Sequence, residues 1–299
     1  MKCMFVFNPK SGKGKILKKF DLIKTTLQQK FEDIVFFETE SRQDLIDKVC
    51  LACKSFDLLI FSGGDGTVND VLNAMMKNEK KPILGYIPSG TCNDFAKSVK
   101  ISKNIKKALK TICNGHPKSF DGFIANKRFG VYVCGSGIFT SASYGTQQKT
   151  KHFLGKLGYY FHSAKEIFSA KSMDISFSLD GSPFQKHNSV LFLLINSCSV
   201  AGWKLNKNSN QHDGKMDFVS IETKKKNKKL GFKALFLVLR MFLFGLNSIK
   251  KNKNVKIFQF KTANIVLPQK NTINIDGENG GTGDLTLETK KDLFKIVVD

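Results

Sequence analysis

As far as Cys113, the chain alternates short apolar runs with longer stretches of helical periodicity, and no other feature constrains the fold as much. The apolar runs are Cys3–Phe7, Ile34–Phe37, Leu58–Phe61 and Ile83–Ile87. Between and after them, helical spacing covers Gly12–Gln29, Ser41–Lys54, Val68–Lys77, Asn93–Val99 and Asn104–Cys113. Short strands separated by helices read as βαβ units around a parallel sheet. Each run ends in a polar or glycine-rich turn: NPKSG, ETES, SGGDGT and PSGT. Ligands of such sheets bind beyond the carboxyl ends of the strands, so these four turns are expected to converge.

After about Asp121 the rhythm changes. Phe123–Phe139, Met173–Asp180, Ser189–Asn196, Met216–Ile221, Val255–Phe260, Asn264–Leu267, Thr272–Asp276 and Leu285–Thr289 read as β. Helical insertions are expected near Thr150–Ser169 and Leu230–Leu246. The expected fold is therefore α/β plus β: a Rossmann-like domain over residues 1–121 and a β-sandwich-like domain over 122–299. The active site is expected in the cleft between them.

With 299 residues, 41% of them hydrophobic, there is ample material for about two cores. Basic residues number 48 against 25 acidic ones, a net charge of +23 that favours an anionic partner. The abundance of Lys, Asn and Phe also admits a bias of composition as the cause. Only Arg42, Arg128 and Arg240 are arginines, and base readers depend on that forked side chain. The charge points to diffuse attraction, and a nucleic-acid partner is not expected. The seven cysteines have no framework spacing, and Cys50-x-x-Cys53 falls on a helix without a second pair. Free thiols in a reducing cytoplasm follow. No leader is expected at the N-terminus, and Ala234–Leu246, interrupted by Arg240, is well short of the ~20 residues that span a bilayer. With KKKNKK (Lys224–Lys229) and KKNK (Lys250–Lys253) on either side, that helix could instead dock on anionic head groups. The expected location is cytoplasmic, in peripheral contact with the inner face of the membrane.

FSGGDGTVND, at 61–70, packs three glycines and an aspartate into four positions, too flexible a run for a stable strand or helix. Glycine permits positive φ and close backbone approach. The N-terminus of the following helix adds free N–H groups and positive partial charge, together an anion site suited to phosphate. Asp65 would repel phosphate unless a cation lies between, and Mg²⁺ carried by a nucleotide reconciles the two. The plainer reading is a glycine turn in which Asp65 caps the helix. SGKGK lacks the upstream glycine of a Walker A loop, and Gly64-x-Gly66 does not continue at dinucleotide spacing.

GGDGTVND at 63–70, with NPKSG at 8–12 and PSGTCNDFA at 88–96, resembles the diacylglycerol kinase catalytic-domain family, the bacterial soluble lipid kinases. LGKLGYY at 154–160, HDGKMDF at 212–218 and IDGE at 275–278 agree. The resemblance implies transfer of the γ-phosphate of ATP, with Mg²⁺, to a lipid hydroxyl at an anionic membrane surface. Diacylglycerol, giving phosphatidic acid, is the leading acceptor; a sphingoid base, ceramide, phosphatidylglycerol or a polyprenol also offers a hydroxyl. It implies that Asn8, Pro9, Lys10, Ser11, Gly12, Thr39, Gly63, Gly64, Asp65, Gly66, Thr67, Val68, Asn69 and Thr91 line the ATP site. Asp65 would stand by the triphosphate and its Mg²⁺. Asp213, with backbone carbonyls of Asn210 and Lys215, would ligate a second, structural Mg²⁺, supported by Asp94 and Asp217. Glu278, with Asp276 beside it, would be the general base. Two departures stand out: His212 where many relatives carry an acid, and the glycine-rich ENGGTGD after Ile275-Asp276-Gly277, which is expected to loosen its loop.

These roles suit the chemistry. Phosphoryl transfer needs positioning and charge neutralisation, and a lipid alcohol needs a base within hydrogen-bond reach. In an extended chain Asp276 and Glu278 point to opposite faces, so one faces the substrate and the other supports. Which is the base is left open, with Glu278 preferred. In isolation D-G-E also reads as a hairpin turn. None of the five histidines has a metal or triad partner at readable spacing, His116 reads as turn chemistry, and Ser136 and Ser141 sit in no nucleophile elbow. Trp203 reads as core or cleft wall. The alternatives are an NAD kinase-like phosphotransferase on a soluble substrate and a decayed nucleotide- or membrane-binding protein. A homodimer is compatible with the sequence but not written in it.

Overall fold

The structure is a computed structural model and describes residues 1–138, 172–223 and 232–299. The chain divides into two compact units, Met1–Gly122 with Lys290–Asp299, and Phe123–Thr289. The helix expected near Thr150–Ser169, the LGKLGYY run, Ser141 and Lys224–Lys229 lie outside the described residues.

In the first unit the strands are β1 (Cys3–Phe7), β2 (Ile34–Glu38), β3 (Leu58–Gly63) and β4 (Ile83–Pro88). All pair in parallel, in the order β2-β1-β3-β4. Strands β1 and β3 are buried along their whole length, as parallel strands covered on both faces must be. Phe5 and Ile60 are fully buried, and burying such a side chain contributes about 1.5–3 kcal/mol. The helices are α1 (Phe20–Lys30), α2 (Arg42–Ser55), α3 (Asp65–Met75), α4 (Asp94–Ser98) and α5 (Ile105–Asn114). Ser41 caps α2 by accepting the Asp44 N–H at 3.1 Å, and Asn104 caps α5 through the Lys107 N–H at 3.2 Å. Since β2 and β3 flank β1, the strand order reverses beside β1. Open α/β sheets place their ligands at that reversal, beyond the strand ends.

Two expectations need correction here. The helix read over Gly12–Gln29 is two 3-10 turns, Ser11–Gly14 and Leu17–Lys19, before α1 begins at Phe20. Gly12 and Gly14 adopt φ of 58° and 74°, which an α-helix cannot absorb. The Gly-Gly-Asp-Gly run is also more regular than expected. Gly63 pairs with Pro88 as the last residue of β3, and Asp65 and Gly66 already belong to the first turn of α3. Neighbouring strands supply the order that the sequence of this run lacks.

The second unit contains β6 (Arg128–Gly130), β7 (Val133–Gly137), β8 (Met173–Leu179), β9 (Gln185–Ile195), β10 (Met216–Glu222), α6 (Phe232–Phe244), β11 (Val255–Phe260), β12 (Thr262–Val266), β13 (Thr272–Ile275) and β14 (Glu278–Thr282). The pairings among β7 to β14 are antiparallel, with β9 against β7, β8 and β10. Phe177, Phe192 and Phe218 stack within its core. The chain enters this unit along β5 (His116–Ala125) and leaves it along β15 (Leu285–Val298). The strand read over Phe123–Phe139 is thus three. Asn126 and Lys127, with φ of 45° and 69°, turn β5 back on β6, so that Ala125 pairs with Arg128. His116 opens β5 and is not a turn residue. The strand read over Leu285–Thr289 runs on to Val298, where Ile296 pairs in parallel with Leu84 of β4.

Candidate active site

The turns after β1, β3 and β4 meet at one end of the parallel sheet. In NPKSG, Asn8 accepts the Lys10 N–H on its side chain at 2.8 Å and the Ser11 N–H on its carbonyl at 3.0 Å. The hydroxyls of Ser11 and Ser89 lie 3.2 Å apart. A Cβ built on Gly12 would stand 2.6 Å from the Ser89 carbonyl oxygen, and one on Gly90 would stand 2.4 Å from Cα of Gly64. Gly63 faces the Thr67 side chain, which any Cβ there would strike at 2.3 Å. The Gly63 carbonyl accepts the Ser89 N–H at 2.8 Å and the Tyr86 hydroxyl at 3.0 Å. Three loops therefore pack backbone against backbone, which only glycine permits, beside the N-terminus of α3. Thr39, after β2, is buried and spends its hydroxyl on the Phe7 carbonyl at 3.3 Å, tying this turn to the end of β1. Val68 and Asn69 are buried in α3, whereas Lys10, Gly66 and Thr91 are exposed and Pro9 is half-buried.

Asp65 does not cap its own helix. Its carboxylate accepts the Phe95 N–H at 3.0 Å, against the opening turn of α4. Burial holds this carboxyl above its ordinary value, opposed by the Phe95 N–H and reinforced by the charge of Asp94. Asp94 is itself buried and pairs with Lys97 at 3.0 Å. An ionised Asp65, taken partly out of water and beside the charge of Asp94, is an unfavourable combination, and a divalent cation held with phosphate oxygens would relieve it. The donor set therefore fits the expected Mg²⁺-nucleotide. Sequence reading missed two contributors. The Tyr86 hydroxyl anchors the loop, and the buried Ser62 hydroxyl, like the Asn69 amide nitrogen, has no hydrogen-bond partner. The apolar-run reading hides Tyr86 inside β4, and Ser62, read as the start of the SGGDGT turn, is in fact the penultimate residue of β3.

In the second unit, Asp276 and Gly277 form the two-residue turn between β13 and β14, with φ of 51° and 87°. Ile275 pairs with Glu278 across it, the pattern of a type I′ hairpin. The two acids are thus not alternate residues of one strand, and the expectation drawn from strand alternation is corrected. The Asp276 carboxylate accepts the N–H groups of Val131, Tyr132 and Val133 at 2.6, 3.0 and 2.9 Å. The Tyr132 hydroxyl adds a 2.6 Å bond to the Asp276 carbonyl. Counted from sequence among the catalytic acids, Asp276 is a buried brace instead, its oxygens committed to backbone. Glu278 is half-buried at the head of β14. ENGGTGD is not loosened: its first five residues form β14, and Arg128 donates to the Asn279 carbonyl.

Asp213 lies in a tight turn before β10, with Gly214 at φ 67° and the Lys215 N–H on its carboxylate at 3.0 Å. The Asn210 side chain accepts the His212 N–H at 3.1 Å. Asp217 receives the Asn206 amide at 2.6 Å. Burial raises the proton affinity of Asp217, the Asn206 bond opposes this, and the Asp213 charge raises it further. Two mutually repelling carboxylates suit a cation. Among the described residues no cluster of three or more His, Cys, Asp or Glu side chains could hold a metal, so Mg²⁺ here would depend on carbonyl and water oxygens beside Asp213.

The sequence pattern of the diacylglycerol kinase catalytic domain matches residues 2–124. A diacylglycerol kinase of Bacillus subtilis (strain 168) is 30% identical over 283 residues, covering 92% of this chain and 89% of its own. The chain belongs to the diacylglycerol kinase family. It is a kinase, transferring a phosphoryl group. A diacylglycerol kinase structure from Bacillus anthracis str. Sterne superposes with a TM-score of 0.83 at 24% identity, covering 100% of this chain and 97% of that one. An NAD kinase from Archaeoglobus fulgidus, solved in complex with ATP, shares the fold at a TM-score of 0.52 and 12% identity, over 99% and 93% of the two chains.

One cluster in this family member escaped the sequence. His187 Nε2 lies 2.8 Å from the Ser220 hydroxyl, and its Nδ1 lies 3.3 Å from Glu222. A histidine does therefore have triad-like partners, which antiparallel pairing of β9 with β10 brings together. Ser220 is fully buried, however, and shares its hydroxyl with Ser189 at 2.8 Å. The cluster is a polar network whose serines are buried and whose His187 and Glu222 are half-buried.

Proposed function

We propose that this kinase transfers the γ-phosphate of ATP, with Mg²⁺, to a lipid hydroxyl, with diacylglycerol as acceptor and phosphatidic acid as product. The observation that carries the reading is the contact of Gly64 with Gly90 beside the N-terminus of α3, which leaves backbone N–H groups and a helix end to receive a triphosphate. Loops 8–12 and 63–69, with Thr91, hold the nucleotide. Asp65, oriented by α4, faces the phosphates together with the cation. Bound Mg²⁺ supplies charge neutralisation, which is most of what phosphoryl transfer requires. Asp213, with the Asn210 and Lys215 carbonyls, holds a second, structural Mg²⁺. Glu278 accepts the proton of the acceptor hydroxyl, and Asp276 fixes the turn that presents it. The family relationship supports a lipid acceptor, drawn from a membrane surface that the protein meets from its cytoplasmic side. The excess of lysine and the seven free cysteines agree with that location.

A soluble acceptor is the second reading, favoured by the fold shared with an NAD kinase. PSGTCNDFA and the curated relatives weigh against it. The deciding experiment is transfer of labelled γ-phosphate from ATP to diacylglycerol, other lipid alcohols and NAD, with Asp65→Ala and Glu278→Ala alongside. Labelled phosphatidic acid that both variants abolish supports the proposal. Label in NAD alone, or undiminished turnover by Glu278→Ala, overturns it.

A further inference from the structure

Helix α6 packs one side against its own unit and leaves the other uncovered. Ala234, Leu237, Val238 and Met241 are buried, whereas Phe236, Leu239, Leu243 and Phe244 are 52%, 43%, 57% and 69% exposed. The exposed residues recur at helical spacing and form one stripe. With Arg240 and Ser248 they line an apolar groove of about 530 Å³. Lys233, Lys250, Lys251 and Lys253 stand exposed at the two ends of the helix. From Thr223 to Ile275 the sequence contains no Asp or Glu. Among the described residues no helix is long and apolar enough to cross a membrane.

We infer that this face of α6 is the surface by which the protein docks on an anionic bilayer, resting on the reading above that the acceptor is a lipid. The helix lies in the plane of the interface. Phe236, Leu239, Leu243 and Phe244 enter the acyl boundary, and Arg240 and the flanking lysines meet the head groups. Charge selects this occupant over a second copy of the chain. A two-fold contact through the face would set one acid-free, lysine-bracketed segment against its twin. An anionic lipid surface complements the same charges.

The test is flotation of the full chain with phosphatidylcholine vesicles, with and without phosphatidylglycerol, for wild type, Leu243→Ser/Phe244→Ser and Lys250→Glu/Lys251→Glu. Light scattering gives the oligomeric state of each. The expected result is binding to the anionic vesicles alone, weakened by salt, and reduced about tenfold or more in each variant. Phosphorylation of a water-soluble short-chain diacylglycerol should be retained by both variants, which excludes misfolding. Vesicle binding unchanged by the substitutions overturns the inference. So does a wild-type dimer that the serine variant splits while vesicle binding persists, since the face would then join copies of the chain. Vesicle binding that follows the face in a protein that phosphorylates no lipid supports the docking surface and overturns the lipid-kinase reading.

Discussion

Asp276 and Tyr132 clasp each other twice: the Asp276 carboxylate accepts the Tyr132 N–H at 3.0 Å, and the Tyr132 hydroxyl donates to the Asp276 carbonyl at 2.6 Å. With the Val131 and Val133 N–H groups on the same carboxylate, three backbone donors depend on one side chain. Leaving a buried donor without an acceptor costs roughly 1–3 kcal/mol. Asp276→Ala should therefore lose about 3 kcal/mol or more of stability in urea denaturation. Glu278→Gln should unfold within about 0.5 kcal/mol of wild type, yet lose roughly 10²–10⁴ in kcat. Equal loss of stability in both would remove the distinction between brace and base.

Gly90→Ala places a methyl 2.4 Å from Cα of Gly64 and 2.7 Å from the Asn93 side-chain oxygen. Backbone cannot yield as a flexible side chain does, so the two loops must part. The expected cost is about 1–3 kcal/mol of stability, with a larger proportional loss in ATP affinity. Calorimetric titration of ATP into the variant checks this, and affinity equal to wild type would place the nucleotide elsewhere.

Asp65 is held above its ordinary value by burial, so the folded chain binds that proton more tightly than the unfolded one. This contribution to stability is full below the unfolded value, near pH 4, and is lost as pH rises through the folded value. At pH 7 the ionised carboxylate is a burden. Asp65→Asn should therefore abolish turnover while raising stability, by roughly the 0.5–2 kcal/mol typical of single stabilising replacements. Thermal melts at pH 4 and pH 7 measure the difference, which should be larger at pH 7.

His187 titrates in the opposite sense. Burial holds it below its ordinary value, against the attraction of Glu222 and with the repulsion of Lys256. The unfolded chain takes up this proton first, so stability should fall as pH drops below about 6.5. His187→Gln keeps a polar group beside Ser220 and should flatten that acid slope between about pH 6.5 and 5. An unchanged slope in denaturant melts across that range would show that other groups govern it.

Much of this protein is set by local sequence. The strand–helix alternation up to Cys113 yields the parallel sheet because short apolar runs and the 3.6-residue period are read from near neighbours. The loop glycines and the Asp276-Gly277 turn are legible because positive φ and close backbone approach are demands on single residues. Tertiary structure alone decided which groups each acid meets. Asp65 turns to α4 because Phe95 lies 30 residues away in sequence, and Asp276 is committed because the donors at Val131, Tyr132 and Val133 lie 143 to 145 residues away. The return of Ile296 to Leu84, and the meeting of His187 with Ser220 and Glu222, are likewise long-range strand pairings. Local periodicity carries no record of such partners; they exist only once the strands have chosen their neighbours.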